Sequence, residues 1–155
     1  MAMVWVVDDD NEVRGVVQTL LEGLGHQARS FGDAQTALQE YRPGAAEVII
    51  SDVRMPAMDG LAFTHAILDR DPEASIIILT GYPSVNTAVE AMQAGAVDFL
   101  GKPCNVGELR VRVDRALDIR AWQVRLRKNR LLTLGLILSL PLWIILGIVL
   151  VSFLH

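Results

Sequence analysis

Four apolar runs in this 155-residue chain each end at polar residues of a different chemical type. Val4-Trp5-Val6-Val7 runs into Asp8-Asp9-Asp10, and Val48-Ile49-Ile50 into Ser51-Asp52. Ile76-Ile77-Ile78-Leu79 runs into Thr80, and Val97-Asp98-Phe99-Leu100 into Gly101-Lys102-Pro103. Adjacent carboxylates such as Asp8 and Asp9 repel each other, and a bound Mg²⁺ relieves that repulsion. This ion prefers one or two carboxylates plus waters and phosphate oxygens. Asp52 stands alone and is placed as a nucleophile, since carboxylates form acyl-phosphate intermediates. Phosphoryl transfer depends on positioning and on neutralising charge around the equatorial oxygens. Mg²⁺, Lys102 and the Thr80 hydroxyl would each serve one of them.

Taken singly, every one of these residues has a plainer role. An aspartate run after a strand serves equally well as a helix N-cap. Thr80 alone suits a strand end, Lys102 a solvated loop, Phe99 the core, and Met55-Pro56 with Gly60 a turn. The argument for chemistry rests on their joint order along the chain.

The elements that must position them alternate regularly. Strands are expected at 3–7, 27–31, 47–51, 75–79 and 97–100, and helices at 11–24, 33–41, 59–70, 84–94 and after Pro103. Val13, Val16, Val17, Leu20, Leu21 and Leu24 fall at helical spacing. Gly25 follows as a stop, because glycine tolerates the left-handed conformation there. Asn105 is a candidate cap for the last helix. Strict β–α alternation implies a parallel sheet with helices on both faces. The second strand is the most polar, which suits an edge, and strands 1, 3 and 4 suit the centre. A strand order 2-1-3-4-5 puts Asp8, Asp52 and Thr80 on adjacent strand ends. In such sheets ligands bind in the crevice at the carboxyl ends of the strands.

Charge and hydropathy divide the chain. Residues 1–105 carry 15 acids and 6 bases, and residues 106–130 carry 3 acids and 8 bases. Residues 131–154 carry no charge, which accounts for much of the 52% hydrophobic content and the mean hydropathy of +0.35. As a helix those 24 residues would extend roughly 36 Å, enough to cross a hydrocarbon core of about 30 Å. Pro141 within the run is tolerated in membrane helices. Arg125, Arg127, Lys128 and Arg130 precede it, which favours a cytoplasmic location for the preceding residues. The expected division is a globular domain at 1–118, a basic juxtamembrane helix or linker at 119–130 and a transmembrane helix at 131–154. The first strand begins too early to leave room for a signal peptide, and the layout is that of a tail-anchored protein of the inner membrane. Helix 5 is expected to continue into the span. A nucleic-acid reading of the basic stretch is weak, because the apolar run starts one residue later. Cys104 is the only cysteine, so no intrachain disulfide forms. His26, His65 and His155 share no ligand spacing. Trp5, Met55, Met58 and Met92 read as packing residues.

The stretches VVDDDNEVR at 6–14, SDVRMPAMDGL at 51–61 and LTGYPSVNTAVEAMQAGAVDFLGKP at 79–103 closely resemble the receiver domain of bacterial two-component response regulators, in particular nitrogen-regulator-like receivers. The resemblance covers about residues 3–118. It implies a flavodoxin-like doubly wound five-stranded fold. It also implies that Asp52 is the phospho-acceptor, that a sensor histidine kinase is the donor, and that Asp9 ligates Mg²⁺ directly while Asp8 acts largely through water. The carbonyl of Arg54 would be a further metal ligand, Thr80 and Phe99 the switch residues, and Lys102-Pro103 a cis peptide. Many such receivers precede an ATPase or DNA-binding output domain, which has no counterpart in this sequence.

The expected function is a membrane-anchored receiver in a phosphorelay. It catalyses its own phosphotransfer and autodephosphorylation rather than acting as a dedicated enzyme, and its output comes by protein contact. A membrane-protein partner or a homodimer is compatible with the span, where Gly135 and Ser139 lie four apart. The alternatives are a phosphate sink for a kinase and a docking module that assembles a membrane complex. Arg54 and Tyr82 each lie two residues past a site residue and would flank the path of attacking water.

Overall fold

The structure, a computed structural model, describes the backbone of residues 1–153. Beyond Arg130 it describes residues 133–135, 139 and 141 in full. The chain separates into two compact units, Met1–Arg120 and Ala121–His155.

The first unit alternates strand and helix as the patterning requires: β1 (Met3–Val7), α1 (Asn11–Gly23), β2 (Gln27–Phe31), α2 (Ala34–Glu40), β3 (Val48–Asp52), α3 (Gly60–Arg70), β4 (Ser75–Thr80), α4 (Val85–Gln93) and β5 (Asp98–Gly101). The last helix, α5 (Val106–Phe153), begins in this unit and continues into the second. Four helix starts are fixed by short polar side chains that accept hydrogen bonds from otherwise unpaired first-turn N–H groups. They are Asp10 for α1, Asp33 for α2, Asp59 for α3 and Ser84 for α4. Asn105 does the same for α5, its Oδ1 accepting from the Glu108 N–H at 2.9 Å. Gly25 takes φ of +86° just past α1, as its stop position demands.

All strand pairs are parallel, in the order β2-β1-β3-β4-β5. Polar β2 lies at the edge, and β1, β3 and β4 form the centre. On one face Trp5, Val7, Ile49 and Ile76 pack with Ala34 and Ala37 of α2, Phe63 and Ile67 of α3 and Ala91 of α4. On the other, Val4, Val6, Ile50 and Ile77 pack with Val17 and Leu21 of α1 and Leu109, Val113 and Ala116 of α5. Burial on both faces is why the central strands read as unbroken apolar runs. Trp5 and Met55 are core as expected and Met58 packs against it, whereas Met92 lies exposed on α4.

Among the described residues no helix is long and apolar enough to cross a membrane, and most side chains of the run expected to span, 131–154, lie outside them.

Candidate functional site

Strand register assembles the polar strand ends. Val7 pairs with Ser51, Asp52 with Leu79 and Thr80 with Gly101, so the residues that follow β1, β3, β4 and β5 emerge side by side. The aspartate run divides its labour. Asp10 caps α1, Asp9 is exposed, and Asp8 is fully buried. One Asp8 oxygen accepts from the Asp10 N–H at 2.9 Å, and the other lies 2.6 Å from the Lys102 ammonium. Lys102 also reaches Asp52 Oδ1 at 3.2 Å. The peptide bond after it, to Pro103, is cis as expected.

Burial pushes the Asp52 carboxyl up. The Lys102 charge pulls it down and the Asp8 charge pushes it up again, leaving it above the usual carboxylate range. Burial disfavours the charged Lys102 ammonium. Its hydrogen bond to Asp8 and the charges of Asp8 and Asp52 outweigh that, so it is held above its ordinary value. Burial of the Asp52 carboxylate is thus the largest cost in the site, and the Lys102 ammonium offsets it in part.

The donor set fits a hard divalent cation. One carboxylate oxygen from each of Asp8, Asp9 and Asp52 lies within 4.8 Å of the others. Such an oxygen cluster with room for further oxygen ligands suits Mg²⁺. Arg54 follows in the exposed loop after β3, and its guanidinium lies 5.1 Å from the centre of the Tyr82 ring. Thr80 is buried at the end of β4, where its hydroxyl accepts from the Tyr82 N–H at 3.2 Å. Phe99 on β5 is partly buried against the core, and its outer side lines an apolar cavity of about 780 Å³ with Pro83, Val85, Val89 and Met92.

Three supporting residues were not legible as such. Arg14 donates to the Asp8 carbonyl at 2.6 Å and to Asn11 Oδ1, bracing the loop that carries both acids. Gly60, which reads as a turn glycine, opens α3 directly beneath Asp52. A Cβ there would lie 2.0 Å from the Asp52 carbonyl oxygen. Asp98 receives Arg112 at 2.9 and 3.0 Å and Arg115 at 3.5 Å, tying α5 to the strand that carries Phe99. The sequence signal for Asp98 was a single charge in an otherwise apolar run.

Comparison with known proteins agrees with this geometry. The family model for the response regulator receiver domain matches residues 4–114. The DNA-binding transcriptional regulator NtrC of Escherichia coli K12 is 39% identical over 116 residues, which are 75% of this chain and 25% of that protein. The C4-dicarboxylate transport transcriptional regulatory protein DctD of Rhizobium meliloti is 39% identical over 127 residues, 82% of this chain and 28% of that protein. The chain thus spans about a quarter of the length of the curated relatives it matches. Among solved structures, the BeF3-activated DrrB receiver domain superposes with a TM-score of 0.70 at 30% identity, covering 76% of this chain and 98% of that one. NtrX from Brucella abortus gives 0.74 at 29% identity, covering 81% of this chain and 29% of that one. With the acidic cluster, the lysine and the sheet order in place, this chain belongs to the response regulator receiver domain family.

Proposed function

We propose that this protein is a membrane-anchored receiver that takes a phosphoryl group on Asp52 from the phosphohistidine of a sensor histidine kinase. The observation that carries the reading is Lys102 held between Asp8 and Asp52 beside a three-carboxylate cluster. Asp52 Oδ attacks phosphorus, the P–N bond to the histidine breaks, and the electron pair leaves on the imidazole nitrogen. Asp8, Asp9, Asp52 and the Arg54 carbonyl would hold Mg²⁺, which when bound offsets negative charge on the phosphoryl oxygens. Lys102 neutralises a second oxygen. The Thr80 hydroxyl donates to a third after it leaves the Tyr82 N–H. Phe99 follows Thr80 inward, altering the apolar cavity beside α4, and output passes to a partner through that face.

The globular receiver at 1–118 would be joined through the basic stretch 119–130 to a transmembrane helix at 131–154. Support comes from the charge-free run and the cations preceding it, which favour a receiver on the cytoplasmic face of the inner membrane. Release of the protein from membranes by alkaline carbonate would refute the anchor.

The phosphorylation test is labelling of the full chain with acetyl phosphate, with and without Mg²⁺, beside Asp52→Asn. Mg²⁺-dependent labelling lost in the variant is expected, and labelling that persists in Asp52→Asn would refute the assignment. An acyl-phosphate half-life of seconds would favour a phosphate sink over a switch.

A further inference from the structure

The three acids of the candidate metal site are not held alike. Lys102 holds Asp8 and Asp52. Among the described residues no donor holds the Asp9 carboxylate, although one of its oxygens lies within 4.8 Å of those of Asp8 and Asp52. Its backbone must therefore aim it, and the group immediately before it is the Asp8–Asp9 peptide. Arg14, one turn into α1, folds back onto the carbonyl of that peptide. Its Nη1 donates there at 2.6 Å, while Nη2 donates to Asn11 Oδ1. The guanidinium also rests against Gly32, just past β2, where a Cβ would stand 3.6, 3.8 and 3.9 Å from Nη1, Cζ and Nη2. One planar group thus braces the acidic loop against α1 and the end of β2. Arg14 makes no ion pair among the described residues, although Asp8, Asp9 and Asp10 lie within six positions of it. Its donors go to a carbonyl and an amide, and the Asp9 carboxylate stays free.

We propose that Arg14 is a positioning residue for the metal. It fixes the Asp8–Asp9 peptide so that the unpaired Asp9 carboxylate stays beside those of Asp8 and Asp52. The proposal rests on the Mg²⁺ reading above and adds to it a residue outside the ligand set. The charge of Arg14 cannot be what favours the ion, because a cation so near the acids repels Mg²⁺. Geometry is what favours it. Groups that orient metal ligands without touching the metal matter in this way at many sites. A guanidinium suits the task, since its rigid fork holds two acceptors at once, which an ammonium does less well.

The test titrates the full chain with Mg²⁺ in the absence of any phosphodonor and reads Kd from the amide resonances of Asp9 and Asp10. Removing a group that orients metal ligands costs about 10–100-fold in affinity. Arg14 acts through one peptide group, so the lower end, about ten-fold, is expected. Arg14→Met and Arg14→Lys should both weaken Mg²⁺ by about that factor, because neither keeps the fork. If Arg14 acted only through its charge, Arg14→Met would bind Mg²⁺ more tightly and Arg14→Lys would match the parent, and that pattern overturns the proposal. A purely structural role would lower the urea midpoint of both variants and leave Kd of the folded protein unchanged, which overturns it too. Should both Arg14 variants fail to fold, Asn11→Ala decides: it removes the second anchor of the guanidinium from an exposed position. A weaker Kd there supports the proposal, and an unchanged one overturns it. A parent chain that binds no Mg²⁺ overturns the ligand set together with Arg14, whereas a parent that binds beside variants that bind equally well overturns Arg14 alone.

Discussion

Gly60 offers the sharpest test of how the fold holds its nucleophile. It opens α3 and donates its N–H to the Val53 carbonyl at 2.9 Å, which brings its Cα against the end of β3. A Cβ at this position would stand 2.0 Å from the Asp52 carbonyl oxygen, 2.9 Å from its carbonyl carbon and 3.1 Å from Ser51 Oγ. Ordinary contact begins near 3.4 Å, so Gly60→Ala requires a displacement of more than about 1 Å. The obstructing atoms are backbone of a strand paired on both sides, not the end of a flexible side chain. Overpacking of this kind costs about 1–3 kcal/mol, and the rigidity here puts the expected loss at the upper end, about 3 kcal/mol. A misplacement of about 1 Å at a reacting group can cost on the order of 100-fold in rate, so Asp52 labelling should slow by at least about ten-fold even in the folded fraction. Urea unfolding followed by far-ultraviolet circular dichroism measures the first effect, and the initial rate of labelling by acetyl phosphate measures the second. A variant within about 0.5 kcal/mol of the parent, labelled at an unchanged rate, would refute the claim that α3 is packed directly on the acceptor strand.

Three further outcomes follow from the same contacts. Because burial holds the Asp52 carboxyl above its ordinary range, its contribution to stability is complete below 3.8 and is lost as pH rises through the folded value; without Mg²⁺, Asp52→Asn should therefore raise the urea midpoint at pH 7, and an unchanged or lower midpoint would contradict a burial cost on the charged carboxylate. Burial pushes the Asp71 carboxyl up, yet hydrogen bonds from Tyr41 Oη at 2.9 Å and from the N–H groups of Gly44 and Glu73, with the Arg120 charge, hold it below its ordinary value. Its contribution is thus present at neutral pH and lost as pH falls through that lowered value, and Tyr41→Phe should cost about 1–3 kcal/mol at pH 7 and less in acid, as read from urea midpoints at several pH values. Tyr82→Ala removes the ring that stacks on Arg54 beside the acceptor and should shift the acyl-phosphate lifetime several-fold, with identical decay in both proteins counting against a role for the pair.

Much of this fold was legible because parallel α/β patterning is local. Apolar runs of four residues, helical spacing such as Val13-Val17-Leu20-Leu21, and short polar caps each act within a few positions, and the structure places every one of those elements within one or two residues of its expected bounds. The acids, Thr80 and Lys102 were legible because strand ends in such a sheet share a crevice. What the sequence hid was pairing at a distance. Asp71 meets Tyr41 and Arg120 across 30 and 49 positions, and Arg112 meets Asp98 across 14, with no periodicity to mark either. The partner of the Thr80 hydroxyl was hidden for another reason. The hydroxyl is held by the loop N–H of Tyr82, a choice made by local backbone geometry rather than by residue type.

The two faces of the sheet differ in a way that bears on how the receiver can be watched. The layer formed with α2, α3 and α4 holds Trp5, Phe31, Tyr41 and Phe63, with Trp5 stacked 4.5 Å from Phe31 and 5.5 Å from Tyr41. Among the described residues, the layer formed with α1 and α5 holds aliphatic side chains, Cys104 and no aromatic ring. Trp5 emission therefore reports on one half of the core and is silent about the other. A signal that loosened the packing of α5 on the sheet would leave Trp5 emission unchanged while the methyl resonances of Leu109 and Val113 moved. An unchanged Trp5 signal on phosphorylation would accordingly say nothing about whether α5 had responded.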